Sequence, residues 1–190
     1  MVIVSLMEGQ GEFEKLLSTA ETPELGPGPR GGVQPQGALQ RTFDEILPRL
    51  KIPEEREQLI RALVLLWHDH LQAAHVIAQM IDNADGAFVH AIMHRREPDY
   101  GNAKYWFRRV GNHPAFAAMA ERVTMLRNAK GQPALLRRLA PNGEWDAFAL
   151  VDLCEEAASR KPGDTTVSVL REIQRIETEA LLETFCSLHR

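Results

Sequence analysis

Cysteine is nearly absent. The 190-residue chain has two, Cys154 and Cys186, and neither stands in a C-x-x-C spacing, which excludes a zinc knuckle. That leaves one disulfide or two reduced core thiols, and reduced thiols are the expectation. Long apolar runs are missing as well. The longest strongly apolar stretch, Ala62–Trp67, falls far below the ~20 residues that span a bilayer. Met1–Met7 is apolar but short, without a basic leader or a cleavage-type ending, so no secretory signal is read and a soluble, cytoplasmic protein is expected. Neither charge dominates: 22 basic against 26 acidic residues leave a net charge of -4. No global field therefore recommends nucleic acid or an anionic membrane as partner. The chain also lacks G-x-x-x-x-G-K-[ST], G-x-G-x-x-G and G-x-S-x-G, which excludes nucleotide binding through the first two loops and the esterase-type nucleophile.

What remains is an ordinary globular composition, 44% hydrophobic and 25% charged. That excludes wholesale disorder, a collagen repeat or a coiled-coil rod. Gly11–Ala20 has the pattern of a short amphipathic helix. Glu21–Gln40 is dense in Gly and Pro and has little to bury, so it reads as an extended arm. Beyond it the pattern is helical throughout, with segments at about Ala38–Leu47, Pro53–Ile81, Ala87–Glu97, Asn102–Gly111, Pro114–Ala129, Glu144–Arg160 and Asp164–Leu188. A break and a short turn are expected at Gly131–Pro133. No window alternates with period two. The expected fold is all-α: a compact multi-helix bundle over residues 41–190, preceded over residues 1–40 by a helix and a Gly/Pro-rich extended arm.

Histidine is concentrated: all but His189 lie between positions 68 and 113. On a continuous helix at about 100° per residue, His68, Gln72, His75 and Gln79 fall within about 60° of one another, with Arg61 among them. The rest of that segment is largely apolar. Between positions 62 and 81 only Asp69 carries a formal charge, and it points well off the stripe, as does His70. A solvent face normally carries Lys and Glu, so a stripe of imidazoles and amides suits a pocket or a buried polar layer better. In the next helix His90, His94 and Glu97 share one face, an i, i+4 histidine pair with a carboxylate three residues on. If Asp82–Gly86 is a tight turn, the two helices run antiparallel and His75 lies level with His94.

Three chemistries suit this pattern. A divalent metal on His75, His90, His94 and Glu97 would activate water or oxygen. Without metal, His75, His94 and Glu97 are candidates for general acid–base catalysis. A small anionic molecule would then be held by His68, Asp69, Gln72, Gln79, His90 and the arginines Arg95, Arg96, Arg108 and Arg109. Tyr105, with Tyr100, Trp106 and Phe107, offers a stacking platform beside those arginines. The third is structural: a satisfied polar layer that fixes helix register in an interaction or scaffold module. Residues 95–138 hold ten Lys/Arg against three Asp/Glu. This basic middle either binds an anion or pairs with its own acidic flanks, and the pairing is the expectation. A second copy of the chain is the other partner left open.

The block WHDHLQAAHVIAQ (Trp67–Gln79), with DGAFVHAIMHRREPDYGNAKYWFRRVGNHP (Asp85–Pro114), WDAFALVDLCEEA and LREIQRIETEALL, resembles a family of uncharacterised all-helical proteins across most of residues 60–182. The resemblance implies a helical fold and supplies neither a function nor catalytic residues. PDYGNAKYWFRRVG is also similar to one helical hairpin of tetratricopeptide or Sel1-like repeats, but no second copy follows at repeat spacing.

Overall fold

The computed structural model describes residues 11–50, 52–127, 132–161 and 163–187. The Met1–Met7 run and the expected helix ends at Ala129 and Leu188 lie outside the described residues. Those residues form helices and connections without a strand. Residues 11–17 form α1. Next come α2 (Gln36–Leu50), α3 (Glu54–Trp67), α4 (Leu71–Ala78), α5 (Ala84–Arg96) and α6 (Tyr100–Val110). The chain continues with α7 (Ala115–Arg127), α8 (Pro133–Leu139), α9 (Ala147–Ala157) and α10 (Thr165–Cys186). The all-α expectation is met. The short turn expected after Gly131–Pro133 is instead a helix, α8, opened by a proline whose missing N–H would have had no partner there.

Local chemistry explains the boundaries. Asn83 caps α5 by accepting from the Gly86 N–H at 2.9 Å, and Asp99 caps α6 by accepting from the Asn102 N–H at 3.1 Å. Asn102, where the segment was expected to begin, is therefore inside the helix. Gly86 sits where a Cβ would lie 2.1 Å from the Ile81 carbonyl oxygen, so the α4–α5 turn closes this tightly only with glycine. That closure makes α4 and α5 neighbours.

One expected helix is two. The segment expected to run unbroken from Pro53 to Ile81 breaks at His68–His70, where Asp69 has φ +63°. The Asp69 N–H donates to the Leu66 carbonyl and the His70 N–H to the Leu65 carbonyl. This is the paired termination that a glycine usually makes, with an aspartate in the left-handed position.

The carboxylate repays that backbone. Asp69, buried at 1% side-chain exposure, accepts from the Arg30 side chain at 2.7 Å, the Arg30 N–H at 2.9 Å and Arg96 at 2.6 Å. Those bonds hold its pKa below the usual carboxylate range in spite of burial, which alone would raise it. Arg30 belongs to the Gly/Pro-rich segment, which is irregular as expected up to Pro35, its last residues Gln36–Gln40 being the start of α2, but it is not free. It lies across the helices as a strap. Gln34 exchanges bonds with His68 and His70, the Gly26 carbonyl accepts from Arg96, and the Pro23 and Glu24 carbonyls accept from Gln174. Gly28 has φ +78°, and a Cβ there would stand 2.7 Å from the Asp69 carboxylate.

Two apolar clusters form the core. The larger is built from α1 to α6 with the N-terminal parts of α7 and α9 and the C-terminal part of α10, and the smaller from the rest of α7 and α9 with α8 and the N-terminal part of α10. Between them Arg95 of α5 donates to Glu177 of α10, both side chains essentially inaccessible. Cys154 and Cys186 are free and buried, and burial pushes their thiols up to about 11 and about 12. No helix among the described residues is long and apolar enough to cross a membrane.

Candidate functional site

The α4–α5 hairpin brings three imidazoles together. His75 on α4 lies 4.6 Å from His90 and 5.6 Å from His94, centroid to centroid, while His90 and His94 stack at 5.1 Å. One ring nitrogen from each falls within 4.8 Å of the other two. The i, i+4 spacing on α5 supplies two of the three, and the tight turn at Gly86 supplies the register for the third. His90 and His94 are buried, and His75 is half-buried. The cluster thus reaches solvent along its α4 side.

The surroundings are built onto this trio. Trp106 of α6 stacks on His90 at 4.0 Å and 12° between planes, and the Arg109 guanidinium lies 5.3 Å from the same indole. Asn102 of α6 sits 3.1 Å from Nε2 of His94, and Glu97 places Oε2 3.5 Å from His94 Nδ1. His90 Nδ1 is buried with no hydrogen-bond partner among the described residues. A buried polar atom left without a partner calls for an explanation, and a donor group on a ligand or a metal ion would supply one.

Burial, reinforced by repulsion from its two histidine neighbours, lowers the His90 pKa to about 4. Burial also lowers His94, against the opposing pull of Glu97 and Asp99. Both rings are therefore neutral at pH 7, the form that offers a lone pair to a metal. The same shifts set a pH dependence of stability. The unfolded chain takes up protons on these histidines near pH 6.5, whereas the folded chain keeps His90 neutral down to about pH 4. The unfolded state thus binds more protons in that window, so stability falls as pH drops from 6.5 toward 4 and then levels for this group. Urea midpoints measured across that range should decline, and His90→Phe, which keeps a ring against Trp106, should make the decline shallower. An equally steep decline in the variant would contradict this assignment.

The other residues expected at the site are elsewhere or committed. Glu97 is exposed and stands behind His94 instead of joining the three-nitrogen group. His68 lies beyond the helix break, wholly buried, its ring bonded to the Leu16 carbonyl at 2.8 Å and to the Gln34 N–H at 3.0 Å. Asp69, Arg95 and Arg96 are taken by the buried ion pairs described above. Gln72, Gln79, Tyr105 and Arg108 are exposed, and Arg109 pairs with Asp82 at the surface. The mixed His/Gln/Glu/Arg chamber is thus reduced to three histidines, with Glu97 and Asn102 on His94 and Trp106 on His90. The basic middle is paired with its acidic flanks, through Arg95–Glu177, Arg96–Asp69, Lys104–Asp152, Arg122–Glu183 and Arg138–Glu156. Asn102 and Trp106 are contacts the sequence reading did not assign to this cluster. Their spacing, i and i+4 on one helix, was the available signal. Compared with models of known protein families, with curated proteins and with solved structures, the chain matches none of them.

Proposed function

We propose that this protein binds a small molecule with the help of a metal: His75, His90 and His94 ligate one divalent transition ion, whose remaining position takes water or a small anionic molecule. The observation that carries the proposal is the convergence of three imidazole nitrogens within 4.8 Å, one ring holding a buried, unpartnered nitrogen. Zinc bonds nitrogen at about 2.0–2.1 Å, which sets neighbouring ligand atoms about 3.3 Å apart in a tetrahedron. Binding an ion requires the three rings to move inward to that spacing. An all-imidazole set suits zinc and its neighbours in the transition series, and three protein ligands leave a fourth position open. A metal held there supplies Lewis acidity, lowering the pKa of bound water toward about 7. Glu97 is placed to accept from His94 and so fix its ring. The free, buried thiols agree with a reducing cytoplasmic setting.

The stacking of His90 on Trp106 supports a second reading, a purely structural polar layer in an interaction or scaffold module. Zinc titration of protein purified without a histidine tag, against a chromophoric chelator, separates the two. One equivalent should bind. His75→Ala and His94→Ala should each weaken binding by about 100-fold, and Glu97→Gln by about tenfold. Copper should quench Trp106 fluorescence with the same stoichiometry. Absence of stoichiometric binding, or variants that bind as the parent does, would establish the structural layer instead.

A further inference from the structure

A cleft lies on a different surface, apart from the histidine trio. Where α6 ends and α7 begins, a cleft of about 420 Å³ opens against the 141–148 connection. An adjoining hollow of about 390 Å³ shares Asn112, Phe116, Glu144 and Trp145 with it. Its walls are aromatic: Phe107 is buried, Phe116 and Trp145 are partly open, and Phe148 is 37% exposed. The walls are also held in place. Phe107 and Phe116 each make edge contacts with Phe88 at 5.4 Å. On the opposite side the Asp146 N–H donates to the Leu139 carbonyl at 2.8 Å, and the Asp146 carboxylate caps α9.

The charge of this cleft contrasts with its neighbourhood. One wall comes from the basic stretch, residues 107–120, and the other from the acidic segment that follows it, residues 141–148, yet neither hollow is lined by Lys or Arg among the described residues. Glu144 stands at the rim, exposed, and makes no ion pair among the described residues. Trp145, beside it, packs against both apolar clusters, and its indole N–H is buried without an acceptor among the described residues.

We propose that this cleft binds a small organic cation, an ammonium group carried on an apolar or aromatic body. Aromatic faces attract a cation through their quadrupole, the attraction grows as water is excluded, and Glu144 supplies the counter-charge. An anion would face the carboxylates of Glu144 and Asp146 with no Lys or Arg to offset them.

Nitrogen-15 NMR of the full chain tests this through its indole N–H signals, with Trp145→Phe assigning the one that matters. Titration with benzyltrimethylammonium should move the Trp145 signal saturably, about tenfold more tightly than benzyl alcohol. Phenylacetate should leave it in place. Glu144→Gln, at an exposed position, should fold normally and weaken the cation about fivefold or more. No saturable shift, equal affinity for benzyl alcohol, binding of phenylacetate, or an unchanged affinity in Glu144→Gln would each overturn the proposal.

Discussion

Asp69→Asn should destabilise the fold by about 3–5 kcal/mol, measured by urea denaturation at pH 7. The substitution keeps the shape of the side chain, and asparagine tolerates the left-handed backbone at φ +63° as well as aspartate does. What it removes is charge. Arg30 and Arg96, at 4% and 2% side-chain exposure, then share a buried amide where they had shared a carboxylate. Removing one member of a buried ion pair costs far more than the pair contributes, because the remaining charge stays buried without compensation. Here two charges are left. The strap is expected to loosen at the same time, so limited proteolysis should cut the variant faster near residues 24–32. Asp82→Asn is the control: Asp82 pairs with Arg109 at 89% side-chain exposure, and its loss should stay within about 0.5 kcal/mol. A loss below about 1 kcal/mol for Asp69→Asn would mean that the strap is not held by this carboxylate.

Glu177→Gln should have an effect of similar size, about 3–5 kcal/mol, for the same reason at a different place. Burial by itself would lower the pKa of Arg95, and the charge and hydrogen bonds of Glu177 more than reverse it. The pair links α5 to α10 between the two apolar clusters, so it joins the halves of the core. Apolar residues of matching volume remove the desolvation cost together with the attraction. The double variant Arg95→Met with Glu177→Leu should therefore recover most of what Glu177→Gln loses. A double variant as unstable as the single would show that the pair fixes the packing of α5 on α10, instead of merely neutralising itself.

How much of this was legible in the residues differs from element to element. The helical pattern, the strap's irregular backbone and the meeting of His75 with His94 follow from periodicity and from a glycine that allows a tight turn. The break at Asp69 does not, because aspartate in a left-handed position leaves no mark as clear as Gly or Pro. The clue was indirect: His68, Asp69 and His70 stand together in a helix that is otherwise apolar. Once the break is in place, His68 rotates away from His75 and takes its bonds from α1 and the strap. The stripe that seemed continuous is thereby cut. The arginines misled for a related reason. Arg95 and Arg96 lie in a basic stretch, but their partners, Glu177 and Asp69, are 82 and 27 residues away, and sequence spacing cannot show such pairing. Trp106 was visible as an aromatic beside arginines, and only the crossing of α6 on α5 reveals that its face is spent on His90.

The histidine trio is tested most directly by diffraction from crystals of the untagged protein soaked in zinc, recorded at the zinc edge. The account predicts an anomalous peak about 2.1 Å from one nitrogen each of His75, His90 and His94, with Glu97 facing the far side of the His94 ring. A map with no peak there, and the three rings in their present arrangement, would contradict it.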